Sequence, residues 1–191
     1  MPHIAFVATG TLFDIADPRP SLYGEKNLKR AAEKLTTDIE RWCVNLGDSS
    51  FSDEEYDDMV DCLVKNNANW DDGYSLCKRI ERDFSMDGDS ELVEICDQIP
   101  FYLNEEYLKV IKQWVKHNGI LLNLSVGDII EASVGEGIHK YMVQGEIIKL
   151  YPEKAEYCVY CESRGHVRKG NGTLGSIVKC ENVLRVIRND D

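Results

Sequence analysis

Five carboxylates, Asp53, Glu54, Asp57, Asp58 and Asp61, lie within nine residues of one another. Four of them, Glu54, Asp57, Asp58 and Asp61, recur at i, i+3, i+4 and i+7, which on a helix is one continuous stripe. Like charges at this spacing cost a helix a few tenths of a kcal/mol per pair. What such a stripe can do is imitate a phosphate backbone and steer a cationic groove onto itself. The competing account is a solvated face that keeps the chain soluble. The stripe belongs to a wider excess. From Asp48 to Asp97 there are sixteen acidic and four basic residues, so these fifty residues carry a net charge of -12, equal to that of the whole chain.

Three further groupings could do chemistry. Asp83 to Glu94, DFSMDGDSELVE, places oxygen-bearing residues at positions one, three, five and nine of a calcium loop, glycine at six and glutamate at twelve. Ser90 stands where such a loop has an apolar residue, and the chain offers no second loop to pair with it. Cys158, Cys161, His166 and Cys180 have the residue types of a zinc site, but Cys180 lies too far along for a knuckle. On a strand, Cys158 and Cys161 would point to opposite faces, so buried thiols are the expectation and no metal site is assigned. The loop RGHVRKG brings Arg164, His166, Arg168 and Lys169 together, with glycines that would let backbone amides approach a phosphate. It lacks interleaved aromatic residues, and a hairpin tip or a clamp onto the acidic helices is the preferred account. Residues 163–188 carry six basic residues against Glu181.

No nucleophile elbow, phosphate-binding loop, HExxH or dinucleotide fingerprint occurs, and the four histidines have no acid or nucleophile beside them. No catalytic residue, cofactor or enzymatic activity is expected.

Helical elements must position the acidic residues. Apolar residues at three- and four-residue spacing predict helices over 24–47, 53–66, 71–84 and 90–98, the last stopped by Pro100. A fifth is expected from an N-cap at Asn104 to about His117, with Tyr107, Leu108, Ile111, Trp114 and Val115 inward. Gly47 and Asn118-Gly119 read as helix stops. Ser52 and Glu55 form a capping-box pattern, and Tyr74, Cys77, Ile80 and Phe84 are expected as the stripe of the third helix. Trp42, Trp70 and Trp114 read as core anchors. Before these, His3–Ala8 suits a strand or extended arm, interrupted by Pro18 and Pro20.

After Gly119 the period changes from helical to alternating. SVGDIIEA turns into a strand, and strands are expected over 140–150, 156–162, 176–180 and 183–187. Five short strands in about seventy residues predict a small barrel, and their succession is similar to that of SH3-like or Tudor-like barrels. The expected fold is therefore α+β: a helical bundle-like domain over 1–119, then a five-stranded β-barrel domain over 120–191.

The chain has 191 residues, 43% hydrophobic and 29% charged, enough to bury a core and far from a disordered composition. No apolar run approaches the ~18 residues of a membrane span, and no cation precedes the first apolar stretch as in a signal peptide. Seven cysteines, an odd number without a signal, read as reduced thiols, hence a cytoplasmic protein. The expected function is a non-enzymatic binding protein, an inhibitor or immunity-type protein. Its acidic helical face would occupy a basic groove, one able to hold nucleic acid, on a partner protein. The alternatives are a nucleic-acid-associated adaptor that uses the basic loop and a calcium-binding regulator acting through 83–94. Oligomeric state is left open, and no membrane partner is expected.

Overall fold

The structure, a computed structural model, describes residues 15, 17–67, 70, 72–135, 139–161 and 175–187. The expected strand at His3–Ala8 and the loop carrying Arg164, His166, Arg168 and Lys169 lie outside them. The chain is α+β, with helices α1 (Glu25–Leu46), α2 (Asp53–Lys65), α3 (Gly73–Phe84), α4 (Ser90–Cys96) and α5 (Ile99–His117). Strands β1 (Ile129–Val134), β2 (Tyr141–Tyr151), β3 (Glu156–Tyr160), β4 (Ser176–Lys179) and β5 (Val183–Ile187) follow. Two compact units emerge: Pro20–Val110 is one, and the described residues on either side of it form the other.

The helical unit is built on amphipathic spacing. Leu28, Ala31, Ala32, Leu35, Ile39 and Trp42 line one side of α1 and are buried, as are Met59, Val60 and Leu63 of α2. Each of the larger side chains contributes about 2 kcal/mol by leaving water. Gly47 ends α1 in the left-handed region, at φ 101°, where its amide caps the Cys43 and Val44 carbonyls. Ser52 and Glu55 complete the capping box of α2. Trp70 is buried, and its indole N–H donates to the Leu63 carbonyl at 3.1 Å. Asp72 caps α3, and Asp97, just past α4, accepts from the Gly73 amide at 2.9 Å.

Two expectations about this unit are corrected. Leu76 joins Cys77 and Ile80 in the core and Phe84 packs against it half-buried, while Tyr74 is exposed: at the first turn of α3 the buried position is Gly73. Pro100 does not stop α4; it occupies the first turn of α5, where a missing N–H costs nothing. Asn104 is thus inside α5 rather than its cap. The buried positions Ile99, Leu103, Glu106, Ile111 and Trp114 follow that earlier start.

The strands form one antiparallel sheet in the order β4-β3-β2-β1-β5. Ile130, Ala132, Val143, Ile147, Tyr157, Val159, Val178 and Val183 supply its buried face. Register slips at Glu131/Ala132 and at Ile147/Lys149 mark bulges, which bend a sheet. β1 and β4 accordingly come within 8 Å Cα to Cα although two strands separate them. At Gly145 a Cβ would lie 2.0 Å from the Tyr160 carbonyl oxygen, so only glycine permits this approach of β2 to β3.

The expected SH3-like or Tudor-like five-stranded β-barrel is not formed, because the sheet does not close. Closure would pair β4 with β5. Instead the single 3₁₀ turn Cys180–Asn182 carries the chain from β4 across to the free edge of β1.

Arg19, just ahead of α1, anchors this unit. Its guanidinium donates to Glu181 Oε1 at 2.5 Å and Oε2 at 2.9 Å, and to the Lys154 and Ala155 carbonyls at 2.7 and 3.0 Å. It lies 3.6 Å from Glu156 and 4.8 Å from the centre of the Trp114 ring. The Trp114 N–H in turn donates to the Asp17 carbonyl at 3.1 Å.

Candidate functional site

The candidate site is the outer face of α2. Its orientation follows from what its inner face must bury. Met59, Val60 and Leu63 enter the core, and the Tyr56 hydroxyl donates to the Glu33 carbonyl of α1 at 2.8 Å. Helical geometry then turns Asp53, Glu54, Asp57, Asp58 and Asp61 outward, and all five are exposed. The stripe expected from the spacing is present as one surface.

Its electrostatics are uneven. Asp61 lies 3.8 Å from Lys65, an exposed pair that offsets little charge. Asp58 and Asp61 also share a shallow depression with Lys65 and Arg79. Asp53, Glu54 and Asp57 have no cation partner among the described residues. Glu55 is used differently: it accepts from the Ser52 amide and hydroxyl, each at 2.8 Å, and those bonds hold its carboxyl below the usual range.

The rest of the acidic run divides between structural use and display. Glu81 pairs with Lys78, and Asp83 pairs with Arg79 and Arg82. Asp72 and Asp89 cap helices, and Asp97 holds the start of α3. Asp48, Asp87, Glu91 and Glu94 have exposed side chains without a cation partner among the described residues.

The calcium template is spread over three elements. Asp83 closes α3 with its carboxylate on two guanidinium groups, Asp89 accepts from Leu92 N at 3.0 Å, and Glu94 is on α4. Among the described residues no three His, Cys, Asp or Glu side chains are grouped as a metal site. Cys158 and Cys180 are buried free thiols, and Cys161 is buried as well. Burial, reinforced by the Glu181 charge, pushes the Cys180 thiol up to about 12. Cys43, Cys77 and Cys96 of the helical unit are likewise buried and free, and burial raises Cys96 to about 12.

One charged cluster escapes periodicity. Glu106 is 3% exposed in the helical unit and is bonded by Lys34 at 2.8 Å and Lys109 at 2.7 Å, with Arg30 at 3.7 Å. Burial alone would raise its carboxyl, but the two lysines outweigh it and the net shift is downward. Lys34 is lifted to about 12 by Glu105 and Glu106 against the opposing effect of its own burial. The spacing of Lys34 and Glu106, seventy-two residues apart, carries no signal that they meet. Every charge here has a counterpart, so the cluster holds α1 to α5 rather than offering a site.

Comparison with protein-family models, with curated proteins and with solved structures found no match.

Proposed function

We propose that this chain is a non-enzymatic binding protein whose acidic helical surface docks on a basic groove of a partner protein, one built to hold nucleic acid. It would act as an inhibitor or immunity-type protein. The observation that carries the reading is the outer face of α2, where Asp53, Glu54 and Asp57 are exposed with no cation partner among the described residues. Carboxylates fixed on a helix turn every three to four residues raise association rates with a cationic groove, and the effect falls steeply with salt.

The test is capture on the immobilised chain at low and high salt, with duplex DNA as competitor. The reading expects a basic protein that elutes with salt, is displaced by DNA, and is lost when Asp57, Asp58 and Asp61 are changed together to lysine. A captured protein retained unchanged by that triple variant would defeat it. DNA held by the chain itself, and lost on neutralising Arg164, Arg168 and Lys169, would favour the nucleic-acid adaptor instead.

A further inference from the structure

The helical unit contains a concavity of about 470 Å³ where the end of α1, the start of α2 and the segment after α3 converge. Its lining includes the half-buried Phe51, Phe84 and Met86 and the largely buried Trp42. Asp48 and Asp87 line it, both are exposed, and their carboxylates have no hydrogen bond among the described residues. Among the described residues no lysine or arginine lines it. This distinguishes it from the depression at Lys34 and Glu106, which Arg30, Lys34 and Lys109 also line. The loop that shapes it is held in place: the Phe51 amide donates to Glu40 of α1 at 3.0 Å, and Ser52 and Glu55 lock the next residues. On its other side Ser85 adopts a left-handed conformation, φ 54°, unusual for a residue other than glycine or asparagine.

We propose that this pocket receives an arginine side chain of the basic partner. The inference rests on the docking reading above and names the chemistry of one contact within it. Aromatic side chains beside exposed carboxylates are together the recognition elements of a guanidinium. Its planar face stacks on rings, and its forked donors match carboxylate oxygens. A lysine ammonium, compact and strongly hydrated, uses the carboxylates but gains less from the walls. The volume is ample for one side chain, since sites of roughly 300–1,000 Å³ hold whole small ligands. The pocket includes Glu55 of α2, so an arginine seated there would leave its neighbours in sequence within reach of the acidic stripe.

The test uses the full chain and three capped hexapeptides of alternating glycine with arginine, lysine or citrulline, followed by tryptophan fluorescence and by amide and indole NMR shifts. The arginine peptide is expected to bind at least about fivefold tighter than the lysine peptide, and the citrulline peptide to bind weakly. Shifts should centre on the Trp42 indole, Ser50, Phe51 and Ser85–Asp87. The double substitution Asp48→Asn with Asp87→Asn should weaken the arginine peptide about tenfold, the size of one lost charge-assisted contact. Its far-UV circular dichroism should be unchanged. Equal affinity for arginine and lysine peptides, with shifts confined to α2, would overturn the pocket and leave the docking surface standing. Binding unaffected by the double substitution would also overturn it, as would no peptide binding. The docking surface is judged separately, by the triple lysine variant and partner capture.

Discussion

Arg19 is the residue whose removal exposes most about the sheet-bearing unit. Its side chain is 6% exposed, and Glu181 and Glu156 beside it are largely buried. Burial raises the carboxyl of Glu181, but its bonds to Arg19 more than reverse this and hold it below the usual range. Glu156 stays raised, since burial there outweighs the attraction of Arg19. Replacing Arg19 by alanine leaves a buried carboxylate pair and two carbonyls without their donor, at a cost of about 3 kcal/mol near neutrality. The sign with pH is set by Glu181. Its depressed folded-state pKa stabilises the native chain above the ordinary carboxylate range, and that contribution fades as pH falls through the folded value. Without Arg19, burial raises both carboxyls, so protonation relieves the strain. Thermal melts from pH 7 to 4 should therefore show the Arg19→Ala deficit shrinking with acid. A deficit that stays constant would mean that the guanidinium acts through packing on Trp114 alone.

At the scale of the element, α2 is unusual in what its first turn carries. Asp53, Glu54 and Glu55 all complement the positive end of the helix, and Ser52 closes the box. That local stabilisation offsets the repulsion along Glu54, Asp57, Asp58 and Asp61. The substitution Ser52→Ala removes the acceptor for the Glu55 amide and the hydroxyl bonded to its carboxylate. It should cost about 1 kcal/mol, which is a fall of roughly 2–4 °C in melting temperature for a chain of this size. Hydrogen exchange should quicken at Glu54–Tyr56 while the amides of α1 keep their protection. Uniform quickening through the helical unit would show that the cap supports more than its own helix.

For the molecule as a whole, the consequence of a net charge of -12 is self-repulsion. Asp53, Glu54, Asp57, Asp87, Glu91 and Glu94 lack cation partners among the described residues, and all belong to the helical unit. Raising salt from 0.01 M to 0.1 M shortens the screening length from about 30 Å to about 10 Å. The melting temperature should rise by a few degrees over that range. The pair Asp57→Asn with Asp58→Asn should raise it at low salt and flatten the salt response. A fall with salt would indicate that the internal pairs at Glu106 and Arg19 outweigh the repulsion. Among the described residues no helix is long and apolar enough to cross a membrane.

Local patterning by itself determined the helices α1 to α3, the stop of α1 at Gly47, the start of α2 at the Ser52–Glu55 box, and the five strands within a residue or two for most ends. It also determined the acidic stripe, because a helix of known inner face has a known outer face. The start of α5 was not legible, since Pro100 is compatible with either ending one helix or opening the next. Only the tertiary structure decided which distant residues meet: Lys34 with Glu106, Arg19 with Glu181, and the loops around Asp48 and Asp87. It also decided that β5 pairs with β1 and leaves the sheet open. Periodicity reports which way a side chain faces within its own element. Pairing between elements depends on the path of the chain between them, and short-range spacing does not encode that path.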